Sequence, residues 1–292
     1  MNPVITESVR DAIQGLPGYI PAHIKTEYIN LLLKVGFDII DIGSFVSEKA
    51  IPQLKDTAEV LRKLDISDTR SKIMVVVANA KGIETALYFE EISWLAFPFS
   101  VSPTFLKLNI NADSQQALRL IDLANNRCEN LKRNFKVYLT MAFGNPYQDQ
   151  FNTDIVMESV AKLHSIGISY ITLSDITGVS NAVLIDQIYT QIIADYPSIE
   201  FGLHLHTTLY TYYEKLDAAF SGGCRSFDAV INGMGGCPMT GYELVSNLNT
   251  LDLIKYFNKH NIKTNINKNA LNKAFKKNRE LFSESSKINM LN

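Results

Sequence analysis

Short apolar runs alternate along this chain with polar loops and with longer segments of helical spacing. The apolar runs, each short enough for one strand, cover residues 4–9, 37–42, 72–77, 92–97, 135–141, 169–173, 200–205 and 227–231. Between them, apolar residues recur at i, i+3 and i+4 over residues 24–34, 53–63, 83–90, 115–131, 154–165, 181–194, 209–220 and 242–257. Strands alternating with helices predict parallel pairing through right-handed crossovers. Repeated eight times over roughly 250 residues, the pattern predicts a (β/α)8 TIM barrel with its active site at the C-terminal ends of the strands. A doubly wound open sheet is the alternative. It would carry a glycine-rich dinucleotide loop after its first strand, whereas here Val9 runs into Arg10-Asp11-Ala12-Ile13-Gln14. No Pro/Gly/Ser-rich linker divides the chain, so residues 1–264 read as a single catalytic domain. The Lys- and Asn-rich tail, 265–292, reads as a last helix over 269–282 that then frays.

Composition changes this picture only by exclusion. Hydrophobic residues make up 46% and charged residues 20% of 292, an ordinary soluble balance with ample material for a core. A net charge of −2 leaves no electrostatic footprint for nucleic acid or an acidic membrane surface. No stretch approaches the ~20 apolar residues of a membrane span, and Met1-Asn2-Pro3-Val4-Ile5 lacks the regions of a secretory signal. Three widely spaced cysteines, Cys128, Cys224 and Cys237, make no disulfide framework. Together these point to a cytoplasmic protein.

The strongest chemical signal is His204-Leu205-His206, at the end of the seventh apolar run in a chain with only 5 histidines. Residues i and i+2 of a strand share a face, with Cα atoms about 7 Å apart. Two imidazoles so placed can hold one metal ion; two partly buried imidazoles bonded to backbone are the plainer alternative. The other strand ends add Arg10 and Asp11, then Asp41 and Ser44, Thr140, Ser174 and Asp175. The eighth run enters Gly233-Met234-Gly235-Gly236-Cys237-Pro238, which sets a thiol on a flexible rim loop. A cysteine there can close over a substrate as nucleophile or acid, while a buried free cysteine is the common alternative. Asn247, beyond this loop, offers an amide oxygen to a metal or is an ordinary helix-surface residue.

These motifs resemble the 3-hydroxy-3-methylglutaryl-CoA (HMG-CoA) lyase family, within the DRE-TIM metallolyases. The resemblance lies in residues 9–14 and 44–53, Asn109-Ile110-Asn111, Ser174-Asp175-Ile176-Thr177-Gly178, Leu203-His204-Leu205-His206 and the Gly-Gly-Cys-Pro loop, in order from about residue 3 to 260. It implies a metal-dependent lyase that cleaves HMG-CoA to acetoacetate and acetyl-CoA in leucine degradation, commonly as a homodimer. By the same resemblance Asp11, His204, His206 and Asn247 match ligands of a divalent metal, Mg²⁺ or Mn²⁺. Arg10 matches the arginine that polarises the thioester carbonyl, and Cys237 the loop cysteine. Asp175 and His204 match groups that handle the substrate hydroxyl proton. Asp41 stands where the family has a glutamate that orients the arginine. Gln14, Ser44, Asn109 and Thr177, inside the same motifs, are candidate substrate contacts.

The chemistry asks for such a set. The reaction breaks a bond between a tertiary alcohol carbon and the carbon α to a thioester. Loss of the hydroxyl proton is easier with that oxygen on a cation. Arg10 can place fixed positive charge on the developing enolate oxygen, and a thiol on a closing loop can protonate the enolate carbon.

The chain departs from the family at His206-Thr207-Thr208, where the family has His-Asp-Thr. It also departs at Asp41, at Gly144-Asn145-Pro146-Tyr147 for Gly-Cys-Pro-Tyr, and at Ser102-Pro103-Thr104-Phe105 for Ser-Glu-Thr-Phe. It carries one more residue between Cys237 and Asn247 than the usual pattern. The departures leave open a related hydroxyacyl-CoA substrate, a condensing synthase of acyl-CoA and 2-oxo acid, or a lyase-like subunit that binds without catalysing.

Overall fold

The computed structural model describes residues 2–16, 18–236, 240–241 and 245–288, with 283–288 as backbone only. Eight parallel strands close into a barrel in chain order, β1 against β8. They are β1 (Val4–Glu7), β2 (Ile39–Ser44), β3 (Lys72–Val76), β4 (Ile92–Ser100), β5 (Asn134–Thr140), β6 (Tyr170–Asp175), β7 (Glu200–Leu205) and β8 (Ser226–Ala229). The helices are α1 (Val9–Gln14), α2 (Ala22–Leu32), α3 (Thr57–Arg62), α4 (Ala80–Leu87), α5 (Pro103–Ile110), α6 (Ser114–Asn130), α7 (Thr153–Ser165), α8 (Ala182–Asp195), α9 (Tyr212–Ser221), α10 (Thr250–Lys259) and α11 (Lys268–Ile288). The predicted TIM barrel is the observed fold. No described helix is long and apolar enough to cross a membrane.

Strand alternation sorts the core into two layers. Outward side chains such as Ile40, Val75, Val137, Leu173 and Leu203 pack beneath the helices in one large cluster. Inward, a small cluster of Ile39, Met74, Val76, Trp94, Ala96 and Tyr138 plugs the half nearer the strand starts. Helix starts are fixed by short polar side chains at the βα loops. Asn79, Asn152 and Asn181 each accept a backbone N–H of the following turn, and Asp113 forms a capping box with Gln116.

Several boundaries differ from those the periodicity predicts. β1 stops at Glu7, and residues 8–14 leave the strand, because Asp11 and Ala12 both donate backbone N–H to Ser8 O. Val9, Ala12 and Ile13 are buried at helical spacing, so part of the first apolar run belongs to α1. α5 sits where no helix was expected: Ser102 caps it, Pro103 opens it, and Asn111 in a left-handed conformation ends it. α10 begins only at Thr250, with Asn249 as its cap, so Asn247 is not on a helix. α11 reaches Ile288, beyond the expected fraying point. Its Leu271, Ala274, Leu281 and Phe282 join the large core cluster, and Asn278 donates to Tyr28 Oη of α2 at 2.9 Å.

Candidate active site

The turn into α1 aims two charged side chains across the barrel mouth. Arg10 donates Nε and Nη2 to Asp41 Oδ2 at 2.9 and 2.7 Å, and Nη1 to Asp11 Oδ1 at 2.8 Å. Gln14, one turn on, accepts from Arg10 Nη1 at 3.1 Å and donates to Asp11 Oδ1 at 2.6 Å. Asp41 comes from the middle of β2 and is wholly buried. The shorter Asp therefore still reaches Arg10, through Oδ2; Asp41 Oδ1 is buried without a hydrogen-bond partner among the described residues.

His204 near the end of β7 and His206 just past it turn their imidazoles to one side, as the i, i+2 spacing requires. Their Nε2 atoms face each other at 3.2 Å, and Asp11 Oδ2 lies 4.0 Å from His204 and 3.7 Å from His206. One donor atom from each of Asp11, His204 and His206 falls within 4.8 Å of the others, and all three side chains are buried. Donors about 2.0–2.2 Å from an ion and at right angles to one another sit about 3 Å apart. Two imidazoles that converge on the Asp11 carboxylate from beyond hydrogen-bond distance make, with it, a set that fits a divalent cation. Burial and the neighbouring His204 push His206 down to about 4, which keeps it neutral and able to ligate. Burial alone would raise Asp11, but Arg10 above all, with the Asn247 amide beside it, outweighs burial and holds the carboxyl below the usual range.

Behind His204 stands a group that strand-end reasoning missed. Asp228 on β8 places Oδ2 3.3 Å from His204 Nδ1 and accepts from Tyr138 Oη at 2.7 Å. Lys136 Nζ lies 3.7 Å from Asp228 Oδ1. Burial opposes the charge on Asp228, and Lys136 and His204 overcome it and hold its carboxyl down at about 2. The signal was present in β5 itself: Lys136, Tyr138 and Thr140 alternate with Val137 and Leu139, so the polar set must face inward. Three carboxylates (Asp11, Asp41, Asp228) thus face two cations (Arg10, Lys136), a surplus of negative charge that suits a divalent ion.

Asn247 arrives from the segment after β8. Leu248 N donates to Leu205 O and Thr207 N to Ser246 O, both at 2.8 Å, which lays this segment beside the end of β7 and opposite His206. Asn247 Nδ2 donates to Asp11 Oδ2 at 2.8 Å and to Met234 O at 2.9 Å. Its amide touches the predicted ligand set through nitrogen, and a half-turn of the amide exchanges nitrogen for oxygen. Gly235 passes so close to α1 that a Cβ would lie 2.5 Å from Asp11 O, and its φ of 87° independently favours glycine. Cys237 lies outside the described residues.

A cavity of about 340 Å³ opens beside these groups. Of the predicted substrate contacts, Arg10, Gln14, Ser44 and Asn109 line it; Val46, Ile51, Phe105 and Leu108 supply apolar wall. Thr177 is not on the wall, and its Oγ1 is buried without a partner among the described residues. Asp175 does not join the group either. Its two oxygens accept from Val179 N and Ser180 N at 3.1 and 2.9 Å, and Lys215 Nζ lies 3.6 Å away. That carboxylate orders the loop after β6. Ser174, from the strand-end set, also lines the cavity, and Tyr138 and Asn79 are lining residues that the sequence reading did not single out.

Known proteins are similar to this chain over nearly its whole length. Hydroxymethylglutaryl-CoA lyase YngG of Bacillus subtilis is 30% identical over 267 residues, covering 91% of this chain and 88% of its own. The human mitochondrial hydroxymethylglutaryl-CoA lyase is 26% identical, covering 93% of this chain and 82% of its own. A solved HMG-CoA lyase from Acinetobacter baumannii, in complex with coenzyme A and 3-methylmalate, superposes with a TM-score of 0.89 at 29% identity, over 97% of this chain and 92% of that one. A family model described as HMGL-like matches residues 4–276, and with the barrel and the Asp-His-His cluster in place the chain belongs to the HMGL-like family.

Proposed function

We propose that this protein cleaves 3-hydroxy-3-methylglutaryl-CoA to acetoacetate and acetyl-CoA, in a reaction that depends on a divalent metal, Mg²⁺ or Mn²⁺. The observation that carries this reading is Arg10 held by Asp41 and Asp11 beside the convergent Asp11, His204 and His206. It is supported by the lyases named above, which align over most of the chain. Cytoplasmic leucine degradation is the setting this activity suits.

Asp11, His204 and His206 would hold the ion, with Asn247 joining them through its oxygen. Bound there, it would lower the pKa of an oxygen it polarises and stabilise negative charge. The chain's own residues do the rest. Arg10 is kept charged, because Asp41 and Asp11 outweigh the cost of its burial. Four of its N–H groups are fixed by Asp41, Asp11 and Gln14. The guanidinium is thus locked in place, with an Nη2 hydrogen left for the thioester oxygen as it gains charge. His204 is oriented through Nδ1 by Asp228, so its Nε2 edge faces the site. The apolar wall of Val46, Ile51, Phe105 and Leu108 would limit the contact of the departing enolate with water. Cys237 is the proposed acid for that carbon.

The test follows acetoacetate from HMG-CoA with Mg²⁺, Mn²⁺ or EDTA under reducing conditions. Metal-dependent acetoacetate that EDTA abolishes is the expected outcome. No product from protein that still binds Mn²⁺ would overturn the substrate assignment and shift it to another hydroxyacyl-CoA.

A further inference from the structure

Glu7 ends β1 pointing away from the cavity, into the layer beneath the helices, and is wholly buried. Its hydrogen-bond partners are neutral and lie at the two ends of one segment. Oε1 accepts from Ile231 N at 2.8 Å, where the chain leaves β8. Oε2 pairs with Thr250 Oγ1 at 2.6 Å, where α10 begins. The same neck is closed by backbone bonds, Val230 N to Leu248 O at 2.9 Å and Thr250 N to Val230 O at 3.0 Å. Gly235 against α1 and Asn247 against Asp11 both lie between its two ends, and the bonds of Ser246 and Leu248 to the end of β7 tie the same stretch a second time.

We propose that Glu7 is a positioning residue of the metal centre, whose carboxyl clasps residues 231 and 250 and so helps to fix Asn247 opposite Asp11. The inference rests on the reading of Asp11, His204, His206 and Asn247 as a metal site. A protonated carboxyl matches both partners: its carbonyl oxygen accepts the Ile231 N–H, and its hydroxyl shares a hydrogen with the Thr250 hydroxyl. An ionised one would leave a full charge in an apolar layer against two neutral donors.

Burial pushes Glu7 up to about 8, against the smaller opposing pull of Thr250 and Ile231. The titratable group facing it from α2 is Tyr28, whose hydroxyl accepts from Asn278 of α11. Among the described residues, α10 and the end of β8 present the Thr250 hydroxyl and the Ile231 N–H to it. For an acid raised from 4.5 to about 8, the contribution to stability is fully present below 4.5 and is lost as pH rises through about 8. Above that, the clasp must hold a charge.

The experiment compares wild type with Glu7→Gln, Glu7→Ala and Thr250→Val below and above about pH 8. It reads Mn²⁺ affinity by electron paramagnetic resonance. It also reads hydrogen-exchange protection at the Leu248 and Thr250 amides, corrected for intrinsic rate. Glutamine reproduces the neutral acid, one acceptor and one donor, and cannot ionise. Wild type is expected to lose protection at both amides, and about tenfold in Mn²⁺ affinity, as pH passes about 8. Glu7→Gln should keep both at either pH, and Thr250→Val should loosen the neck at both. If Glu7→Ala fails to fold, Glu7→Gln and Thr250→Val still decide the matter. Identical pH profiles in wild type and Glu7→Gln, or full protection in Thr250→Val, would overturn the clasp. Wild type that binds no Mn²⁺ would sink the metal reading instead, and the exchange data would still judge Glu7.

Discussion

Glu7 and Asp11 leave the same strand–helix junction on opposite sides of the barrel wall, and the two carboxyls meet opposite fates. Glu7 enters the outer layer, meets neutral donors, and burial pushes it up to about 8. Asp11 enters the lumen beside Arg10, His204 and His206, and stays below the usual carboxylate range. Both are buried, so burial alone does not set the charge. What differs is the cation within reach. The lumen is built to keep charge and to move it during a reaction. The outer layer holds Glu7 between two neutral donors instead.

Arg10→Gln tests the lumen hardest. It should lower turnover on HMG-CoA by about 10³-fold, from the loss of preorganised charge on the enolate oxygen. Mn²⁺ binding should survive, since the surplus of negative charge grows. The unpaired Asp41 should also cost about 3–5 kcal/mol of stability, readable by denaturant unfolding. Wild-type turnover in this variant would remove Arg10 from the chemistry. Next comes His206→Ala, expected to weaken Mn²⁺ by at least about 100-fold in titration, beyond the range usual for an outer partner. An unchanged affinity would count against ligation. Asp228→Asn should cost roughly 10–100-fold in Mn²⁺ affinity, because the imidazole of His204 loses the carboxylate that orients it.

Glu7→Gln marks the small end of the series. At low pH it should leave activity and stability near wild type. Its stability should then stay flat across the window from 4.5 to about 8, where the wild type declines. A parallel decline in both proteins would assign the slope to another group.

The site was legible in the sequence where local spacing decided it. His204 and His206 had to share a face of β7, and Arg10, Gln14, Ser44 and Asn109 fall on the cavity that the barrel mouth makes. It was less legible where a side chain's direction depends on the turn that follows. Arg10 and Asp11 looked like a strand end, yet Ser8 starts a helix that swings both inward. Asp175 looked like a member of the mouth, yet the next loop folds back and takes both its oxygens. Asn247 lay inside a helical pattern, and the cap at Asn249 moved the helix start beyond it.

The order of strands and helices, and with it the barrel and the end at which chemistry gathers, was set by the sequence through periodicity, which is a local property. Long-range closure decided the rest. Only when β1 pairs with β8 do Asp228, Lys136 and Tyr138 meet behind His204, and only then do the two ends of the 231–250 segment reach Glu7. These contacts join residues far apart in the chain, and no local pattern encodes which buried charge will find a cation and which will stay neutral.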